Sequence, residues 1–532
     1  MATTATPTGS TPGAQESTTE EAIPPKSRLP RIALGLLLSI FGGVLLILTF
    51  PNQGGIWPLV FIGFIPMYIA QYRVLPRKWS AVPVGITFFA WWFAYMLTSA
   101  SIMSYTFMII GALVFGVIGG VIGIFQRPFS ERTGYRWFLL QLPLIWVAID
   151  LLTTNDYLGS EQYIAYHLGL VPQIVQPVSV VSTPVLSFLI IVINSALALL
   201  IISWMDRKWP HLADVPIPKK TVKWSAIIAG IVTLVWLVSS FVIYNQVTAA
   251  MGPTIRIAGV TPGLDNFGKS VLQRSDGSTN RTPAQIDADL QAQLTKMTED
   301  AAKQGAQIVV WPEETLNYDP LKTNTDWIPA LAKANNVYIE TGYTTDPKIQ
   351  NQALMFSPSG LMGSYGKVHR VLLEGEDFPP GTVFPTFETA MGPVGVIICW
   401  DMDFPNGPAR LVTLTGSEIV LVPSVDFGSI SKSRFGSNVF RAIENRVGIV
   451  KVDRAWDSRM VNPNGQVIAK GVFTNKYGDK DLMIGDVARG PRNAPFTQLG
   501  SAPFAFLVFF FLLSMVAVMF ISSRRSRKST AQ

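Results

Sequence analysis

Uncharged apolar runs long enough to cross a bilayer constrain this chain more than any other feature. A crossing helix needs about 20 such residues, and candidate runs occur at 32–50, 55–71, 81–98, 100–124, 137–151, 174–204, 224–245 and 502–521. The run at 137–151 is the shortest and ends on Asp150, and only the small polar stretch LTSAS divides 81–98 from 100–124. Charged residues make up 14% of the 532 residues, against about 25% in an ordinary soluble protein. Much of the chain is therefore expected to sit in lipid.

Basic residues fall between these runs on alternate sides. Lys26, Arg28 and Arg31 precede the first, Arg73, Arg77 and Lys78 follow the second, and Arg127, Arg132 and Arg136 follow the fourth. Arg207, Lys208, Lys219, Lys220 and Lys223 follow the sixth, and Arg524, Arg525, Arg527 and Lys528 close the chain. The loops PNQGG, LTSAS and TTNDYLGSEQYIAYHLG hold no Lys or Arg. The positive-inside rule then puts both termini in the cytoplasm, and eight spans satisfy the parity. The long polar segment between about 250 and 500 falls outside the cytoplasm.

This organisation gives five regions: a disordered cytoplasmic tail at 1–31, a seven-span membrane domain at 32–245, an external domain at 253–490, a last transmembrane helix at 502–521 and a basic cytoplasmic tail at 522–532. The first 30 residues are rich in Thr, Ser, Pro and Glu with no apolar core, as in disordered segments. The first span lacks the small-residue cleavage pattern of a removable signal peptide. The net charge of +7 and pI near 9.3 arise mostly from the cytoplasmic loops, so no nucleic-acid partner is expected.

The external segment has a different texture. Short β-rich runs, IRIAGV (255–260), AQIVVW (306–311), NVYIETGY (336–343), GVIICW (395–400) and EIVLVP (418–423), alternate with helix-like stretches such as TPAQIDADLQAQLTKMTEDAAKQG. That alternation predicts an α/β domain with buried strands. Reactive side chains in such folds collect where strands end. Three strand ends carry chemistry: Glu313 after IVVWP, Lys367 after LMGSYG, and Cys399, the only cysteine, at the end of VGVII. A thiolate is a nucleophile, a carboxylate can take its proton, and an ammonium can stabilise both the thiolate and the oxyanion formed on a carbonyl.

WPE, Y-x-K-x-H, and an aliphatic run into CW followed by FP resemble the Glu, Lys and Cys signatures of the nitrilase (carbon-nitrogen hydrolase) superfamily, over roughly 253–490. Seven spans before such a domain and one after resemble one family within it, the apolipoprotein N-acyltransferases. FPNQGGIWPLVFIGFIPM and PVLSFLIIVINSALALLI resemble that family's first loop and sixth span. The resemblance implies an αββα sandwich outside the cytoplasm, in a polytopic helical protein of a bacterial plasma membrane. It implies a phospholipid acyl donor, a diacylated lipoprotein acceptor and transfer through a thioester.

Carried over by residue, Glu313 matches the general base, Lys367 the oxyanion-stabilising lysine and Cys399 the nucleophile. Glu376 in EGEDFPPG matches an additional active-site glutamate, with Glu374 near enough to compete, and the Trp400 backbone N–H would be a second oxyanion donor. The loop after the next strand reads PSVDFGS (423–429) where the family has N-D-x-W-F, and KVDRAWDSRM (451–460) replaces R-x-T-N-x-G. A lone thiol suits an external site, where a second cysteine could trap it as a disulfide.

Other readings stand beside these. Glu314 is expected to be a solvated neighbour of the base, and His369 a structural hydrogen-bonding residue. Arg441 and Glu444, one helical turn apart, are expected to form a structural ion pair. FGSISKSRFGS is either a membrane-facing lid or an exposed loop. No metal-ligating set is visible and no cofactor is called for. A membrane-tethered amidase, in which water resolves the thioester, and a non-catalytic lipoprotein-binding homologue remain as alternatives.

Overall fold

The computed structural model describes residues 28–262, 282–345, 350–426, 428, 430–454, 456–472 and 480–529. The expected tail at 1–31 lies almost wholly outside them. Residues 522–529, expected as a tail, continue the last helix, Ala502–Ser529.

Among the described residues, six helices are long and apolar enough to cross a membrane: Leu29–Ile47, Arg77–Leu97, Tyr105–Arg132, Thr183–Lys208, Lys219–Ala250 and Ala502–Ser522. Phe138–Thr153 is shorter. The expected span at 55–71 is not one helix but three pieces, Trp57–Phe61, Ile65–Ile69 and Ala70–Val74. Pro58 and Pro66 lack the N–H that a continuing helix uses, and Gly63 between them weakens it further. Prolines act likewise at 174–204, where Pro177 and Pro184 flank a short turn and the long helix begins only at Thr183. The eight long spans are thus corrected to six long helices, one short helix and one broken segment.

These eight segments run alternately toward and away from the α/β domain. At the near end, Asn52 Nδ2 donates to Ser433 Oγ (3.2 Å) and the Thr183 N–H to Glu444 Oε1 (3.2 Å). At the far end, Arg31 donates to the Val74 carbonyl, Arg73 pairs with Asp206 and Arg127 with Asp214. The outer faces are apolar: Ile228, Leu234, Val238, Phe506 and Leu513 are exposed, as helices require when their solvent is lipid.

Among the described residues, the α/β domain has two six-stranded sheets. One runs β12-β1-β2-β3-β4-β5, with β1 (Thr254–Thr261), β2 (Ile308–Val310), β3 (Tyr338–Tyr343), β4 (Gln352–Ser357), β5 (Gly360–Gly366) and β12 (Asp481–Ala488). The other runs β11-β10-β9-β8-β7-β6, with β6 (Thr386–Thr389), β7 (Gly392–Val396), β8 (Ile419–Ser424), β9 (Gly448–Asp453), β10 (Arg459–Val461) and β11 (Val467–Lys470). The centres are parallel, β1-β2-β3 and β7-β8-β9.

Period-two alternation sorts the side chains into layers. Ile255, Ile257, Ile308 and Val310 share a core with Val394, Val396 and Ile419 of the other sheet, whereas Ala258, Val260, Val309 and Trp311 face Leu290, Leu294 and Leu331 on helices Pro283–Lys303 and Trp327–Asn335. Helices Pro408–Leu414 and Phe435–Asn445 accompany the second sheet, and the expected αββα sandwich is complete. Helix Phe435–Asn445 also rests on the membrane part. Phe440 meets Tyr166 edge-on (5.1 Å), and Arg441 donates to the Tyr166 hydroxyl (2.8 Å) while pairing with Glu444 (2.9 Å). That fully buried pair bears out the expected ion pair.

Candidate active site

Each of the three strand-end residues stands just past a strand, and each is fixed by its backbone. Glu313 follows β2 in a turn that passes close over β3: a Cβ on Gly342 would lie 2.8 Å from the Glu313 Cα. Lys367 follows β5, its N–H donating to the Asn351 carbonyl (3.0 Å) and its own carbonyl accepting from the Gly381 N–H (2.9 Å). Cys399 follows β7 with a φ of 43°, a left-handed conformation that costs about 1–3 kcal/mol in a non-glycine residue and persists only where the surroundings enforce it.

What enforces it is Asp401. Its buried carboxylate accepts from the Ile398 N–H (3.2 Å) just before the cysteine, from the Val368 and His369 N–H groups (3.2 and 2.8 Å) just after the lysine, and from the Tyr365 hydroxyl (2.7 Å). One side chain thus sets the cysteine turn against the lysine segment.

The structure brings Glu313, Lys367, Glu376 and Cys399 together around one small cavity. Glu313 Oε1 accepts from Lys367 Nζ (2.9 Å) and Asn351 Nδ2 (2.8 Å), and its Oε2 from the Val425 N–H (2.9 Å). Lys367 Nζ also donates to Glu376 Oε1 (2.7 Å), whose other oxygen accepts from the Val371 N–H (2.6 Å). Of the two glutamates that competed for this place, Glu376 holds the lysine and Glu374 is exposed at the rim.

Burial opposes the Glu313 charge, but Lys367, Asn351 and the cysteine thiol hold its carboxyl below the usual carboxylate range. Burial also opposes the Lys367 charge, yet the two glutamates push its ammonium well above the ordinary value. The thiol is pushed well up, by burial and then by the Glu313 charge, against the pull of Arg434 and Lys367. The resting arrangement is an ionised carboxylate beside a protonated thiol, which is what a general base and its nucleophile require.

A second set of charges lies on the other side of the sulfur, and sequence reasoning missed it. Arg434 Nη1 donates to Cys399 Sγ at 3.1 Å, its guanidinium lies over the Trp400 ring (4.8 Å to the centroid), and it pairs with Asp426. Lys451 Nζ reaches the other Asp426 oxygen at 2.5 Å, and the two cations overcome burial to hold that carboxyl down at about 2. Arg434 Nε donates to Glu161 Oε1 (3.0 Å), which belongs to the loop between helices Phe138–Thr153 and Thr183–Lys208.

The membrane part therefore supplies a hydrogen-bond acceptor to the guanidinium that touches the sulfur. It also lies directly beneath the turn: Ser160 Oγ donates to the Asp403 carbonyl, and a Cβ on Gly159 would lie 3.0 Å from the Trp400 ring. The signal was in the segments that depart from the family pattern, since PSVDFGS holds Asp426 and KVDRAWDSRM holds Lys451.

FGSISKSRFGS, expected as a membrane-facing lid or an exposed loop, carries the buried Ile430, Ser431 and Arg434 and meets the membrane part through Ser433 and Arg434, so that end of it is not an exposed loop; Phe427 and Ser429 lie outside the described residues. Glu314 is not a solvated neighbour, because Arg454 Nη2 pairs with its carboxylate (3.3 Å). His369 is stacked on Phe404 (3.5 Å) with Nδ1 at 2.8 Å from Asp156 Oδ1, in keeping with a structural role. Trp400 is the second residue of the short helix Cys399–Asp403, where the leading N–H groups of a helix have no intrahelical acceptor.

A two-sheet sandwich with a carboxylate, an ammonium and a thiol at adjoining strand ends defines the class, and comparison agrees. Residues 280–490 match the carbon-nitrogen hydrolase family and residues 42–196 the apolipoprotein N-acyltransferase N-terminal domain. A nitrilase of Pyrococcus abyssi is 30% identical over 182 residues, 31% of this chain and 68% of its own. Apolipoprotein N-acyltransferases of Geobacter metallireducens and Mycolicibacterium smegmatis are 26% identical over 508 residues (83% of this chain, 91% of theirs) and 25% identical over 346 residues (57% and 55%). The chain is a member of the carbon-nitrogen hydrolase, or nitrilase, superfamily. Within it, the matched membrane part and the near end-to-end alignment mean that it belongs to the apolipoprotein N-acyltransferase family.

Proposed function

We propose that this protein, in a bacterial cell membrane, transfers an acyl chain from a phospholipid to the amino group of a lipoprotein's diacylated N-terminal cysteine. The observation that carries the reading is the meeting of Glu313, Lys367 and Cys399 at one small cavity, in a domain seated directly on membrane helices. Glu313 takes the thiol proton as the sulfur attacks the phospholipid ester carbonyl. Lys367 Nζ and the Trp400 N–H meet the oxyanion, and the ester C–O bond breaks as Glu313 returns the proton to the departing lysophospholipid. The amine then attacks the thioester and gives a proton to Glu313, which returns it to the sulfur as the amide forms.

The cavity around the sulfur has a volume of about 30 Å³, room for one or two waters and not for an acyl chain. Substrate entry therefore requires the rim at Val371 and Glu374 to move. Both ends of the domain run into helices, Lys219–Ala250 and Ala502–Ser529, so that rim stays close to the lipid. A soluble-substrate amidase needs no such double anchor.

We place the α/β domain outside the cytoplasm and the basic far end inside, by the positive-inside rule. In a Cys399→Ser background, a thiol at position 285 should react with an impermeant label in intact cells and one at position 77 should not. The reaction itself is tested by intact-mass analysis of a diacylated lipopeptide incubated with protein and phospholipid. A gain of one acyl chain on the amine supports the transfer, and an unchanged peptide with release of free fatty acid supports the amidase-like alternative.

A further inference from the structure

We propose that a cavity at the far end of the helices binds the headgroup of an anionic phospholipid, at a site distinct from the active site. The cavity, of 690 Å³, lies between the end of helix Tyr105–Arg132, the turn at 133–137, the start of helix Lys219–Ala250 and Val518 of the last helix. Helix Lys219–Ala250 has 32 residues, about 48 Å at 1.5 Å per residue, and enters the α/β domain at its other end. A bilayer's thickness therefore separates this cavity from Cys399.

Charge bookkeeping at this end leaves cations over. Asp206 is taken by Arg73, Asp214 by Arg127, and Glu131 by Arg127 and Arg77. Arg136 and Lys220, which line the cavity, have no carboxylate within ion-pair distance among the described residues. A cavity walled by an unneutralised guanidinium and ammonium calls for an anion, and a guanidinium fits a phosphate diester through two parallel N–H groups.

The rest of the wall points to a lipid as the source of that anion. Trp137 and Trp224 flank the cations, at the height where indole rings mark a membrane–water interface. Directly beyond them the lining becomes Ile228 and Val518. The two helices that bound this apolar side each bury only 11% of their apolar window against the protein. Acyl chains hanging from a phosphate at Arg136 and Lys220 would fill the crevice between these helices. Such basic pockets between helix ends suit anionic headgroups better than zwitterionic ones, whose own ammonium offsets the phosphate.

The proposal does not depend on the acyltransferase reading, since it uses none of the active-site residues. Delipidated full-length protein in detergent is titrated separately with phosphatidylglycerol, phosphatidylcholine and inorganic phosphate, with bound lipid read by native mass spectrometry and stability by thermal unfolding. Phosphatidylglycerol should bind tightly and raise the unfolding temperature, with phosphatidylcholine weaker. In Arg136→Gln/Lys220→Gln the phosphatidylglycerol affinity should fall roughly 30-fold, while the weak phosphatidylcholine binding and the activity stay unchanged, which also reports that the variant is folded. Equal binding of the two lipids, or an undiminished phosphatidylglycerol affinity in the double variant, overturns the site. Inorganic phosphate reproducing the whole stabilisation overturns the assignment to a lipid.

Discussion

The two sides of Cys399 are built differently. On one side Glu313, Asn351, Lys367 and Glu376 come from three loops of the α/β domain, and every charge is answered within that domain. On the other side Arg434 and Lys451 share Asp426, and Arg434 Nε donates to Glu161 of the membrane part. The first side can carry out proton transfer wherever the domain is placed. The second is complete only when the domain sits on its helices. The nucleophile thus stands between a self-contained base and a cation whose position depends on the membrane part.

The largest effects should come from breaking the first side. Cys399→Ser should abolish turnover, because an unactivated hydroxyl is a far weaker nucleophile than a thiolate. Glu313→Gln should cost about 10²–10⁴-fold in rate with the fold retained, as judged by an unchanged unfolding profile. Lys367→Met should cost roughly 10²-fold or more through the lost oxyanion donor. It also strands Glu313 and Glu376 with no cation between them, so it should destabilise the domain by about 3–5 kcal/mol. A fully active, fully stable Lys367→Met protein would contradict the geometry.

Breaking the second side should do less to the rate and more to its pH dependence. Arg434→Gln removes a cation from the sulfur, so the rise in thiol alkylation rate with pH should move to higher pH, and Arg434→Lys should move it part of the way back. Turnover should fall by about tenfold or more, the share of one charge-assisted hydrogen bond of about 1.5–3 kcal/mol. Glu161→Leu tests the link to the membrane part: with the acceptor of Arg434 Nε gone, the guanidinium should be held less firmly and the alkylation profile should shift in the same direction by a smaller amount. If Arg434→Gln leaves that profile where it was, the sulfur does not sense the second side.

The smallest effects concern pH and His369. The Glu313 carboxyl is held below the ordinary range and the Lys367 ammonium above it. The stability from the carboxyl is therefore present above its unfolded value, near pH 4.3, and lost only as pH falls through the lower folded value. That from the ammonium is present below about pH 10.4 and lost only as pH rises through the higher folded value. The pair's contribution to wild-type stability should consequently be flat from about pH 5 to 10, whereas Lys367→Met, whose two stranded carboxyls titrate higher, should recover stability relative to wild type as pH falls toward 5. His369→Gln should keep activity within a few-fold, since its ring contacts Phe404 and Asp156 rather than the reacting atoms.

The first side was legible in the sequence and the second was not, for a physical reason. Glu313, Lys367 and Cys399 each close a run of strand-forming residues, so local pattern marks both the strand and the reactive residue at its end. Arg434 is 273 residues from Glu161 in the chain, and nothing local announces that pairing. Asp426 and Lys451 lie in the two segments that differ from the family's pattern, where motif matching has least to offer. Asp401 stood in the motif itself, yet its role depends on reaching N–H groups 32 and 33 residues away. In the membrane part the apolar runs were read correctly as runs, but hydropathy does not report that Pro58, Gly63 and Pro66 divide one of them.

The central claim is that Cys399, activated by Glu313, carries the acyl chain between two substrates. Purified full-length protein incubated with phospholipid alone and examined by intact mass tests it most directly. The account predicts an adduct one acyl chain heavier, released by neutral hydroxylamine, absent from Cys399→Ala, and discharged onto the amine of an added diacylated lipopeptide. If no adduct forms, or if it decays to free fatty acid at the same rate with and without the lipopeptide, the account is contradicted.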